Sequence, residues 1–449
     1  MPSLGLVESL NAIREMSIHD GKAYHEYVPI ITNTTDIGAL AQPILNYVNV
    51  RNDFMSMLIN KIVASKFEIK YFNNPLQILE GDELPLGYAT EDIYINPAKG
   101  RKMNVEDFAG LLQKYEADVK VQYFNINMDL QYPVTVSYTQ LKKAFVSWDN
   151  LERFIDGLSM SLYNGAYIDE FRFTKNLIGG AYLKNQVQYE VVSAISSEAT
   201  AKAFVTKARE LYLNMQLPST KYNAWAKVGG EGKPITTWSL PEDIVFVIRN
   251  DIMSYLDVNV MAQSFNISKS DLLGRIITLD NFSAFDDDGN EIFDGSGIIG
   301  FIGDKSWFRI QRQDMFVEEF RNPNNRTYQM YLNLIKQYQY SLFANGVVFC
   351  TSAPTVDATA VTATPDTVSV AEGATAKVAV ALTPITSTAT VTASSSAEGK
   401  ATVAVSADGK TLTITGVDAG SATITVTATN SDTTTVTDTI AVTVTEAAA

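Results

Sequence analysis

The 449-residue chain is poor in the side chains that most reaction chemistry uses. It has a single cysteine, Cys350, which excludes an internal disulfide framework; the chain is made in a reducing compartment or is indifferent to one. Its two histidines, His19 and His25, are too few for a Cys/His metal centre, which needs three or four ligands. The same scarcity weakens any Ser-His-Asp or Cys-His relay, and no G-x-S-x-G elbow occurs. No run of eighteen apolar residues is present, which excludes a helical bilayer span. The opening MPSLGLVESLNAIREM has no basic, apolar and small-residue succession of the secretory kind. Positive charge is scarce too: 35 Lys and Arg stand against 50 Asp and Glu, a net charge of −15. A chain that grips nucleic acid neutralises phosphates with a basic stripe, and one that adheres to anionic lipid needs a basic cluster. Neither is here.

The most informative absence is positional. All Phe, Tyr, Trp and Met residues precede residue 350. The remaining segment is Thr, Ala, Val and Ser, with three lysines against nine carboxylates. Its period-two alternation predicts strands: Val378, Val380 and Leu382; Val403 and Val405; Leu412 and Ile414; Ile424 and Val426; Ile440, Val442 and Val444. Glu372-Gly373, Asp408-Gly409 and Asp418-Ala419-Gly420 supply turns between them. A disordered Thr/Ala tail would not keep alternation and turn chemistry in step. The expectation is a small β-sandwich, entered through a linker or domain edge at 351–364. Residues 368–373 (VSVAEG), 380–384 (VALTP), 394–396, 401–405 (ATVAV) and 416–425 (GVDAGSATIT) resemble the bacterial Ig-like group 2 domain over 354–446, although a Trp usual before the Ser run is missing.

In the body, Leu141, Phe145, Trp148, Leu151, Ile155, Leu158 and Leu162 recur every three or four residues and predict one long amphipathic helix from about Thr139 to Leu177, roughly 50 Å long. Gly157 and Gly165 are candidate bend points. A second helix is expected at 199–216, with Phe204, Ala208, Leu211 and Met215 on one face and Pro218 beyond its end. Alternation predicts strands at 67–71 and 119–123. The continuous apolar runs at 244–248, 276–279, 298–302 and 347–349 read as strands buried on both faces. The class is α+β. Residues 72–103 interleave Pro75, Pro85 and Pro97 with Gly81, Gly87 and Gly100, which rules out a central strand. An out-and-back arm of this length reaches roughly 50 Å, and its function would be to reach a neighbour.

Four features imitate chemistry. Residues 295–300 (GSGIIG) satisfy G-x-G-x-x-G, but they lead into a strand-like run instead of a helix N-terminus. The candidate hard-cation ligands Asp286, Asp287, Asp288, Asn290, Glu291 and Asp294 fail the calcium-loop register, because Glu291 falls at the sixth position and Gly297 at the twelfth; a solvated hairpin tip fits better. The neighbouring pairs Glu91-Asp92 and Glu318-Glu319 mark solvated faces, and Cys350 ends an apolar strand as a small hydrophobe. No catalytic residue, metal ligand or cofactor is assigned.

Residues 73–96 (NNPLQILEGDELPLGYATEDIYIN), 141–171 (LKKAFVSWDNLERFIDGLSMSLYNGAYIDEF), 256–282 (LDVNVMAQSFNISKSDLLGRIITLDNF) and 304–349, with DKSWFRI, FRNPNN and FANGVVF, resemble in order the major capsid proteins of phi29-like small podoviruses. That family also ends in an Ig-like group 2 domain. The resemblance implies a Hong Kong 97 type capsid fold in residues 1–350: an N-terminal arm at about 1–60, an extended loop at about 66–105, a spine helix at about 141–178, peripheral and axial domains with the latter at about 185–300, then the Ig-like domain at 354–446. Residues 1–50 and the acidic insertion at 285–297 match poorly. The resemblance further implies pentamers and hexamers of this chain around a double-stranded DNA genome. A scaffolding protein and a portal or connector at one vertex would be partners, and no membrane would. The protein would be made in the bacterial host cytoplasm and reside in the virion. An acidic wall suits a container that must not adhere to DNA. Leu84, Leu86 and Tyr88, at the apolar tip of the loop, are the expected subunit contacts. Two rivals are weaker. A bacterial surface adhesin or glycan-binding protein would need an export signal and an anchor, and a glycoside-type hydrolase would need a spaced carboxylate pair that nothing singles out.

Overall fold

The computed structural model describes residues 4–64, 72–85, 90–100, 114, 116–228, 234–259, 275–285 and 291–446. The chain divides into two compact units, one made of Met1–Glu91, Tyr123–Thr174 and Phe308–Gln339, the other of Asp92–Gln122, Lys175–Trp307 and Tyr340–Ala449.

The first unit is built on a long helix and a three-stranded sheet. The stripe read from the sequence is real, since Leu141, Phe145, Trp148, Leu151, Ile155, Leu158 and Leu162 are all buried. It is carried by two helices, however, Tyr138–Ala144 and Trp148–Leu183. Ser147 makes the break: its hydroxyl accepts from the Asn150 amide and starts a new helix. The second helix then continues through Gly157 and Gly165. Upstream, Ser137 and Gln140 form a reciprocal capping box. The sheet has the order Phe308–Asn322, Thr327–Tyr340, Met128–Ser137, and its last two strands run antiparallel with Tyr328 opposite Val136 and Leu334 opposite Leu130. Tyr328, Met330, Leu332 and Leu334 alternate inward, where the last two meet Leu162 and Ala166 of the long helix.

The N-terminal stretch, for which the resemblance implies an arm at about 1–60, is helical at Leu4–His19, Tyr24–Tyr27, Ile37–Asn46 and Val48–Ala64. Leu10, Ile13, Tyr24, Ile44 and Phe54 are fully buried in one cluster with Leu151 and Ile155. Tyr24 stacks on Phe54, and Phe54 meets Phe145 at 5.6 Å. The apolar area these residues remove from water holds the segment to its own chain.

In the second unit a five-stranded mixed sheet runs in the order Gln188–Val191, Gly346–Cys350, Ile298–Asp304, Ile244–Arg249, Arg275–Leu279. Its first and last neighbouring pairs are parallel, the middle two antiparallel. The continuous apolar runs are thus its strands, and helices Glu198–Asn214 and Asn250–Asn259 pack on it through Phe204, Leu211 and Leu256. The stretch 67–71, expected to be a strand, lies outside the described residues.

The C-terminal segment forms two four-stranded sheets. One has the order Ala360–Thr364, Thr375–Thr383, Thr411–Gly416, Ala401–Val405; the other Thr367–Ala371, Thr435–Thr445, Gly420–Thr429, Thr390–Ser395. Their inner faces share a core that includes Val378, Leu412, Ile414, Ile424, Val426 and Ile440. Gly373 and Gly409 take positive φ, 77° and 70°, at the turns that the sequence marked. The sandwich begins earlier than the composition suggests: Ala360–Thr364, placed by sequence in the linker, is a strand with Val361 and Ala363 buried. The side chains there are too small to announce a strand.

Candidate subunit-contact site

The extended loop is described at its root, residues 72–85, and the chemistry there is a fastening. Asn74 turns the chain by accepting from the Leu76 amide, and a 3-10 turn at Gln77–Leu79 buries Leu76 and Leu79. From Glu80 the chain runs beside the strand Phe308–Asn322. Gly81 N–H donates to Ile310 O and Leu84 N–H to Arg312 O, both at 2.8 Å. The Gln311 amide reaches Asp82 O, and Arg312 ion-pairs with Glu83. Pro85, the last described residue of the root, has no N–H to donate to such a ladder.

Beneath this pairing lies a buried ionic cluster. Lys336, 2% exposed in the middle of the strand Thr327–Tyr340, donates to Glu80 Oε1 at 2.7 Å and also ion-pairs with Glu170 of the long helix. One cation serves two carboxylates. Burial pushes the Glu170 carboxyl above its ordinary value, and the Lys336 ammonium only partly offsets this. Burial likewise raises the neighbouring Tyr338 phenol, whose hydroxyl has no hydrogen-bond partner among the described residues. Taking three charges out of water makes such a cluster a weak source of net stability. Removing one member is costly, because the others stay buried without compensation. The cluster therefore pins three segments in one arrangement: loop root, long helix and sheet.

Of the expected contact residues, Leu84 is 8% exposed and belongs to the fastened root. Leu86 and Tyr88 lie outside the described residues. The returning limb is described at the ribbon Thr90–Ile95 and Val119–Phe124, where Ile93 and Ile95 are more than half exposed. Sequence reasoning missed Glu80, Glu170 and Lys336. A signal existed for two of them. Glu170 follows Leu162 and Ala166 at helical spacing, on the apolar stripe, and Lys336 interrupts the apolar strand run LNLIKQY.

The other suggestive motifs serve packing. Within GSGIIG, a Cβ on Gly295 would stand 2.3 Å from the Phe282 carbonyl carbon, and one on Gly300 2.8 Å from Val247 O. The glycines admit close backbone approach at a strand entry. The acidic residues 286–290 lie outside the described residues, and the strands flanking them, Ala284–Phe285 and Glu291–Phe293, pair antiparallel. Ser17 and His25 are 3.2 Å apart, but Ser17 is fully buried and its hydroxyl donates to Lys22 O. Cys350 is buried, with its thiol pushed up by burial.

Comparison with known proteins places this architecture. The family described as phi29-like phage major capsid protein matches residues 10–350, and the bacterial Ig-like domain (group 2) matches residues 357–440. The major capsid protein of Bacillus phage PZA is 29% identical over 77% of this chain and 74% of its own. That of Bacillus phage B103 is 29% identical over 83% and 79%, and that of Streptococcus phage Cp-1 is 23% identical over 76% and 92%. Among solved structures, the capsid of Staphylococcus phage Andhra aligns with a TM-score of 0.51 at 16% identity, covering 64% of this chain and 88% of that one. That likeness shows the fold, the Hong Kong 97 capsid type. The chain belongs to the phi29-like phage major capsid protein family, a structural family of the phage shell, and carries a group 2 Ig-like domain after its capsid-fold body.

Proposed function

We propose that the chain assembles with copies of itself, as pentamers and hexamers, into an icosahedral or prolate shell around a double-stranded DNA genome. It has no catalytic role in this reading. The bacterial host cytoplasm is where it is made, a scaffolding protein guides assembly, and a portal or connector occupies one vertex. The fastened loop root carries the proposal. A projecting Pro/Gly-rich segment that docks on a neighbour transmits load only if its base is rigid, and residues 80–85 are held by backbone pairing over a buried lysine. Many modest contacts per subunit then add up to a closed shell. Leu86 and Tyr88, beyond the fastened stretch, are the contacts we assign to the neighbour, with Leu84 at the edge of the root.

The experiment is Leu86→Asp in the full chain. The expected product is a folded, soluble monomer that forms no shells by sedimentation and negative-stain microscopy. Particles of normal yield from this variant would refute the assignment.

A further inference from the structure

The first unit holds a second feature that the loop does not use. Between the helix Val48–Ala64 and the turn joining the two long strands lies a cavity of about 320 Å³ lined by three arginines, Arg51, Arg321 and Arg326, with Tyr138 and Tyr328. Arg51 is only 8% exposed. Its Nε donates to Tyr328 Oη at 2.8 Å and its Nη1 to Leu45 O at 3.1 Å, while Tyr328 Oη donates onward to Asn52. Those bonds aim the guanidinium and leave Nη2 without a protein acceptor among the described residues. The group also sits 4.6 Å from the Tyr138 ring centroid, and Lys142 Nζ lies 4.7 Å from the same centroid. Among the described residues none of the three arginines has a carboxylate partner.

A buried cation without a counter-charge, beside two exposed ones, is an arrangement waiting for an anion. Arg326 strengthens the point. It holds a left-handed φ of 56°, which Asn or Gly adopts more easily, so its side chain has a use that its backbone does not explain.

We propose that this pocket is an oxyanion receptor that takes one carboxylate from a neighbouring copy of the chain. Planar guanidinium groups match carboxylate geometry. The site is a single recess, whereas nucleic acid is held along a stripe of successive phosphate contacts. A chain of net charge −15 presents carboxylates to every neighbour. The choice of occupant rests on the self-assembly reading; the receptor itself does not.

Two measurements separate these parts. Unassembled full-length chain is titrated calorimetrically with succinate at fixed ionic strength, as wild type and as the Arg321→Gln/Arg326→Asn variant. The variant changes only exposed side chains and relieves the Arg326 backbone. Saturable binding, weakened at least ten-fold in the variant, is expected; no binding, or equal binding, overturns the receptor. Shell yield is then compared, and a fall of at least ten-fold in the variant is expected. Normal yield alongside lost succinate binding overturns the neighbouring copy as occupant. So does a short duplex DNA that binds the wild type and not the variant while succinate binds neither. If the wild type forms no shells with its scaffolding protein supplied, the self-assembly reading fails and the occupant with it, while the titration still decides the receptor.

Discussion

Lys336 shows how much one buried charge can determine. It sits at 2% exposure between two glutamates contributed by segments remote in sequence. Lys336→Met leaves two carboxylates buried without a cation and is expected to destabilise the chain by about 3–5 kcal/mol, read as a lowered urea midpoint. Adding Glu80→Gln and Glu170→Gln to that variant removes the stranded charges and recovers most of the loss. An unchanged midpoint in Lys336→Met would sink the clamp. Glu170 adds a pH dependence whose sign follows from its raised folded-state value. The folded chain holds the Glu170 proton more tightly than the unfolded chain does. The stabilisation from that proton is complete below the ordinary value of 4.5 and is lost as pH rises through the folded value. The thermal-midpoint advantage of wild type over Glu170→Gln should therefore grow as pH falls toward 4.5 and level off below. A flat difference would contradict the burial argument.

At the scale of elements, hydrophobic period carried most of the reading. The long helix was legible because apolar residues recur at 3.6-residue spacing over about six turns of sequence. Its interruption at Ser147 was not read, because the apolar stripe runs unbroken on either side of the capping serine. The N-terminal helices were not recognised, although Leu6, Leu10 and Ile13 keep helical spacing. A short stripe does not say whether its partner is the same chain or another. Here it is the same chain: Ile13 is fully buried with residues of the long helix. Ile13→Ala should cost about 2–5 kcal/mol in denaturant unfolding, as a core truncation does. A free arm would predict a change within about 0.5 kcal/mol, as at a surface site.

For the whole molecule, the junction between body and Ig-like domain is short and tied down. Thr351 N–H donates to Gly297 O, Tyr182 Oη donates to Ser352 O at 2.5 Å, and Asn185 donates to Thr386 O at 3.1 Å. We propose that the Ig-like domain lies outside the shell, as decoration or as cement between subunits. Truncation after Cys350 tests the cement role: lower particle yield and a lower disruption temperature are expected if the domain binds neighbours, and unchanged particles would leave it decorative. The body should still fold, because the core around Phe204, Phe246 and Phe349 contains no residue beyond 350. Sequence alone determined the class, the boundary near residue 350, the buried strands and the long helix, since each follows from composition or from a period felt within ten to twenty residues. Only the tertiary structure decided that Glu80 and Lys336, 256 residues apart, share a buried ion pair, and that three arginines from two segments line one recess. Burial and the pairing of charges arise from which segments meet, and no local pattern encodes that.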